Sequence, residues 1–97
     1  MEPMSSLSRE FLYVYVEGAT GGEGVEVAFT VPGVKPVEDD WHPAEWEPPQ
    51  ADGADARILV GPGEGAVALP EGTHQAWVRV TAVEEQPLLP AGLVPIT

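Results

Sequence analysis

The chain has 97 residues, 43% of them hydrophobic, and sets 16 carboxylates against four basic side chains for a formal charge of −12. That length holds one domain, with no room for a second core. The charge repels phosphate backbones and anionic membranes at long range, which excludes nucleic acids and lipid surfaces as expected partners. The lack of cysteine excludes a disulfide framework, thiolate metal sites and thiol catalysis.

A chain this short buries only about 60–65% of the surface its unfolded form exposes. Without disulfides, self-association or docking onto a larger assembly is the remaining common way to complete such a domain. Glycine and proline number 11 each, a load close to that of disordered chains, yet the apolar residues fall in short alternating runs that argue for an ordered, turn-rich β domain. No window reaches the roughly 18 apolar residues of a membrane span. The first eight residues lack the basic-then-apolar build of a signal peptide, so assembly in the cytoplasm of the producing cell is expected.

Residues 1–9 read as a flexible N-terminal arm and 10–97 as a single domain. The run Phe11 to Val16 is aromatic and β-branched apart from Leu12, the composition of a strand. Leu12, Val14 and Val16 share one face and Phe11, Tyr13 and Tyr15 the other; two apolar faces predict cover on both sides, whether by the chain's own fold or by a neighbour. After a glycine-rich turn over 18–24, residues 25–31 alternate strictly. Val25, Val27, Phe29 and Val31 point one way and Glu26, Ala28 and Thr30 the other, as on a half-buried strand. Residues 34–53 hold four prolines, a Glu-Asp-Asp run and two tryptophans. They predict an ordered crossover loop pinned by Trp41 and Trp46 rather than a helix or a central strand.

A third strand is expected over Asp55–Val60 and a short fourth over Ala66–Leu69. The fifth, Thr73 to Val83, puts His74, Ala76, Val78 and Val80 on one face and Gln75, Trp77, Arg79 and Thr81 on the other. Gln86 to Pro90 should turn the chain into a last short strand, Leu93 to Ile96, held at a sheet edge by Pro95. Six to seven short strands between Gly/Pro turns, with no helical period, predict an all-β antiparallel sandwich or barrel.

No constellation points to catalysis. His42 and His74 each stand alone, and the serines at 5, 6 and 8 lie in the arm, so no nucleophile sits beside an oriented base. His74 is expected to pack inward and hydrogen-bond across a turn. The acidic residues Glu38, Asp39, Asp40, Glu45 and Glu47 lack the dedicated spacing of a calcium loop and read as a solvated acidic segment. The glycine pairs at 21–22 and 61–63 neither open a helix nor carry a phosphate-binding lysine. No cofactor or metal is expected. Trp77 and Arg79 on the outward face of their strand are residue types that anchor protein interfaces, and Phe11, Tyr13 and Tyr15 join them as candidate contacts. Two other uses of Trp77 stand beside this one: cover by the chain's own 34–53 loop, or a stacking platform for a sugar ring.

The order Val27-Ala28-Phe29-Thr30-Val31-Pro32-Gly33-Val34, Asp40-Trp41, Ala44-Glu45-Trp46-Glu47, Ala56 to Gly63, Leu69 to Thr73, Trp77 to Thr81 and Pro90-Ala91-Gly92-Leu93 resembles small virion structural proteins of tailed phages that infect Actinobacteria. The resemblance covers most of the chain after Gly24. It implies an immunoglobulin-like sandwich and a non-catalytic place in the particle. A minor capsid or decoration subunit on the capsid lattice is the leading expectation, partnered by the major capsid protein, another virion protein or further copies of itself. A head–tail connector, a tail-associated domain and a glycan-binding module are the alternatives. In that family tyrosine usually follows the Gly-Thr pair and ties a corner of the sandwich through its hydroxyl; His74 stands at that position here.

A small core without cross-links predicts an isolated chain stable by at most about 5 kcal/mol. A guanidinium titration followed by tryptophan fluorescence checks this, and a monomer that persists in concentrated guanidinium would contradict it.

Overall fold

The computed structural model describes residues 3–82 and 86–97. Seven strands form two antiparallel sheets: β1 (Glu10–Glu17), β2 (Gly24–Thr30), β3 (Trp41–Pro43), β4 (Glu45–Trp46), β5 (Gly53–Val60), β6 (Gly72–Thr81) and β7 (Leu88–Ile96). One sheet has the order β1-β5-β4 and the other β3-β2-β6-β7. With β1 taken as the second strand of an immunoglobulin-like sandwich, these are the B-E-D and C′-C-F-G sets of that fold. The only helical turn among the described residues is a three-residue 3-10 segment, Glu38–Asp40.

Alternation dictates what is buried. β1 and β5 pair so that Leu12 faces Ile58, Val14 faces Ala56 and Val16 faces Ala54. In the other sheet Val25, Val27 and Phe29 of β2 pair with Val80, Val78 and Ala76 of β6. One end of the core gathers Leu12, Val27, Ile58, Val60, Val94 and Ile96, and the other gathers Val16, Val25, Ala54, Ala56, Val78 and Val80. Nearly all of these are small or β-branched, and the aromatics Phe29 and Trp46 pack against them from partly buried positions.

Several expectations need correction. The segment 34–53 is not all loop: it contributes β3 to one sheet and β4 to the other, each kept to three residues or fewer in a stretch broken by Pro43, Pro48 and Pro49. The strand expected over Ala66–Leu69 shrinks to one parallel bridge between Val67 and Val60, since Pro70 and the turn at 61–65 leave no length for a ladder. β7 starts at Leu88, where a turn was expected, and carries a bulge: Ala76 pairs with Gly92 and Trp77 with Pro90, leaving Ala91 unpaired. Its place at the sheet edge matches its two prolines. β2 is half-buried on neither face alone, because Ala28 and Thr30 are covered as well as Val25 and Val27, while Val31 falls beyond the strand and is exposed. Val83, expected to end β6, lies outside the described residues.

The segment before β1 runs parallel to the end of β7. Met4 N–H donates to Pro95 O, Thr97 N–H to Met4 O and Ser6 N–H to Thr97 O. The chain then crosses to the other sheet at Ser8–Arg9, which pass so close to Gly61 that a Cβ there would collide with the Ser8 carbonyl and the Arg9 Cα. Gly61 also has φ +139°, a backbone conformation that side-chain-bearing residues avoid. Gly61→Ala is therefore expected to cost about 1–3 kcal/mol, read as a lowered denaturant midpoint with an unchanged slope; an unaltered midpoint would contradict the crossing geometry.

Candidate functional site

The two faces that carry the candidate residues have opposite fates. On β6, Gln75, Trp77 and Arg79 point away from the core as the alternation requires, but the chain's own crossover loop attaches to all three. Gln75 Oε1 accepts from Gly33 N–H at 3.0 Å. Trp77 Nε1 donates to Thr30 Oγ1 at 3.0 Å, and that hydroxyl donates to Val34 O at 2.6 Å. Arg79 donates through Nε and Nη2 to Glu26 Oε1 at 3.0 and 2.7 Å and through Nη1 to Glu38 Oε2 at 3.0 Å. Its guanidinium also lies 4.5 Å above the Trp41 ring.

Arg79 is only 8% exposed as a result and Trp77 is half-buried. The surface on which these two were expected to meet a partner is thus occupied by residues 33–41. The Arg79 hydrogen bonds, ahead of its charge, hold the Glu38 carboxyl below its ordinary value of 4.5, and the two carboxylates raise the guanidinium still further. Trp46 acts as the second pin, donating from Nε1 to Glu23 O at 2.8 Å, and Glu23 itself ties the β1–β2 turn by accepting from Thr20 N–H, Thr20 Oγ1 and Gly21 N–H.

The outer face of the three-stranded sheet has no such cover. Phe11, Tyr13 and Tyr15 are 41%, 50% and 48% exposed, so of the two expected sources of cover for this face of β1 the chain's own fold does not supply it. The Phe11 and Tyr13 rings are 6.3 Å apart and tilted by 47°. Beside them on β5, Arg57 stacks its guanidinium 4.6 Å from the Phe11 ring and pairs with Glu45 at 3.6 Å and Glu47 at 3.9 Å. The Tyr15 hydroxyl is pushed above its ordinary value, first by desolvation and then by the carboxylates of Asp52, Glu17 and Asp55. The result is an aromatic stripe with one neutralised arginine beside it and carboxylates at its Tyr15 end.

The histidines do structural work or none that can be read. His74 Nε2 lies 2.8 Å from Pro70 O and so ties the turn at Pro70 to the start of β6, as expected of a hydrogen bond across a turn. His42 lines a cavity of about 310 Å³ together with Glu45, Arg57 and Phe11. Among the described residues no three of His, Cys, Asp and Glu converge as a metal site would need.

No family model matches the sequence, and it has no match among curated proteins or solved structures.

Sequence reasoning found the aromatic stripe by parity but missed Arg57 within it, since the partners that fix that side chain are Glu45 in β4 and Glu47 just after it, 12 and 10 residues upstream. If the Arg79 cluster holds the loop, Arg79→Ala should cost about 2 kcal/mol, below the cost for a fully buried pair because Glu38 remains solvated when its partner is lost. Trp77→Ala should likewise lower stability. Glu23 and Glu38 both titrate below the ordinary glutamate value in the folded chain. Their contribution is therefore complete above about pH 4.5 and is lost as the pH falls through their folded values. Urea midpoints measured from pH 6 down to pH 3 should fall, and by less in Glu38→Gln; equal losses would remove the loop clamp from the account.

Proposed function

We propose that this chain is a non-catalytic structural protein of a tailed-phage virion, docking on the capsid lattice as a minor or decoration subunit through the outer face of its three-stranded sheet. The observation that carries the docking role is the exposed stripe Phe11, Tyr13 and Tyr15 on a rigid strand, flanked by the Arg57 guanidinium. Aromatic and arginine side chains on a fixed strand bury much area for little conformational entropy, which is why interfaces concentrate their energy in them. The phage setting rests on the resemblance of the sequence.

The chain's charge of −12 defines the partner: a protein surface with a basic rim around an apolar patch, which the acidic chain finds by electrostatic steering. The tilt between Phe11 and Tyr13 makes a poor flat platform for a sugar ring, which favours a protein partner over the glycan reading.

The test is a particle reconstruction combined with incorporation assays. The expected density lies on the capsid lattice with β1 toward it, and Phe11→Ser with Tyr13→Ser should cut incorporation about tenfold or more while the isolated chain stays folded. Density at the neck or tail would move the subunit, and absence from particles would overturn the role.

A further inference from the structure

The three-stranded sheet is one strand narrower than the sheet it packs against. In immunoglobulin-like sandwiches a first strand flanks the one equivalent to β1; here the chain before β1 pairs with the end of β7 instead. Two consequences are visible on that side. First, β1 has an open edge. Gly18 N–H donates to Asp52 O in the register of the β1–β5 ladder. By antiparallel alternation the even residues of β1 bond to β5, and the N–H and C=O of Phe11, Tyr13, Tyr15 and Glu17 point outward. No backbone hydrogen bond outside that ladder reaches these four among the described residues.

Second, the neighbouring sheet is uncovered where a flanking strand would lie. Because of the bulge at Ala91, Leu89 pairs with Val78 and shares its inward direction, yet it is 45% exposed. Leu89, Pro90, Ala91 and Val78 form one wall, and Tyr13 to Glu17 the other, of an open groove of about 590 Å³. β1 contains no proline and no bulge, the usual protections of a free edge; Glu10 and Glu17 at its ends are its only charges.

We infer that this edge is a strand-acceptor site, which takes one extended segment of a partner protein, apolar at every second residue and basic between. A single strand fits because β7 projects beneath the vacant position; a second whole sandwich paired at β1 would have to occupy the place β7 holds. Inward residues of the segment fill the groove over Leu89 and Ala91, and main-chain bonds form to the four outward-facing residues of β1. The basic character follows from Glu17 on β1 and from Asp55 on the neighbouring β5 and Asp52 just before it, the carboxylates near Tyr15. This site rests on the reading of the chain as a docking protein but uses main chain and groove rather than the outer aromatic face.

The probes are two synthetic peptides, Lys-Val-Lys-Val-Lys-Val-Lys and Glu-Val-Glu-Val-Glu-Val-Glu, titrated into the isolated full chain with residue-resolved hydrogen exchange. The basic peptide should bind, slow the amides of Phe11, Tyr13 and Tyr15, leave those of Leu12, Val14 and Val16 as they were, and weaken about tenfold or more between low and high salt because the contacts are charge-assisted. Tyr13→Pro removes one outward donor while sparing the β5 ladder, and should reduce binding about tenfold in a chain whose circular dichroism is unchanged. Should Tyr13→Pro unfold, Leu89→Asp, which places a charge in the groove wall without touching β1, must produce the loss instead. Binding of both peptides alike, binding of neither at millimolar concentration, or unchanged β1 amides would overturn the proposal. So would a free chain whose β1 amides are already slow in a sedimenting dimer, since the edge would then belong to a second copy. Peptide binding is read on the isolated chain, so it can fail while incorporation into particles stands, and the reverse.

Discussion

The structure turns on a mismatch in width: three strands packed on four. A sandwich of two sheets satisfies its inner faces only where strand lies over strand, and β1-β5-β4 runs out before β7 does. Over β5 and the inner half of β1 the fit is close, with Ala54, Ala56 and Val27 fully buried. Beyond β1 the inward-facing Leu89 is left 45% exposed. The N-terminal segment could have supplied the missing strand but is spent on the end of β7, where Met4 and Ser6 close the ladder. The open edge and the groove both follow from that choice of partner.

A second constraint is the scarcity of cations. Three of the four basic residues are engaged inside the chain: Arg9 donates to Glu64 O, Arg57 bridges Glu45 and Glu47 over Phe11, and Arg79 clamps Glu26 and Glu38 over Trp41. Arginine suits this use because one planar guanidinium satisfies two carboxylates and still stacks on a ring. The Arg79 clamp has the larger structural effect. It fastens a proline-rich loop, which can form little ladder of its own, across β2 and β6, and so converts the outward face of β6 into interior. The charges left free at the surface are almost wholly acidic, and the exposed apolar side chains on strands are the aromatic stripe of β1 and Leu88, Leu89 and Leu93 of β7.

Much of the fold was legible because strand parity is a local property. The alternation at Val25–Phe29, at Leu12–Val16 and at His74–Val80 grouped the side chains that share a face correctly, and Pro95 placed β7 at an edge. The failures were also local in origin. Strands two or three residues long leave no period to count, so β3 and β4 were hidden in a loop, and an isolated run such as Ala66–Leu69 looks like a strand whether or not a neighbour pairs with it. The bulge at Ala91 reversed the parity of Leu88–Pro90, and nothing in those residues announces a bulge.

The sequence by itself determined the class of fold and which side chains share a face, because a strand presents alternate residues to opposite sides whatever surrounds it. Only the tertiary structure decided what covers each face. Trp77 and Phe11 are both outward aromatics on well-formed strands, indistinguishable by pattern. The loop from Gly33 to Trp41 returns over one of them because Thr30, Glu26 and Glu38 offer partners for Trp77 and Arg79, and no segment returns over the other. Burial is set by which distant residues arrive, and that depends on pairings tens of residues apart that no local period encodes.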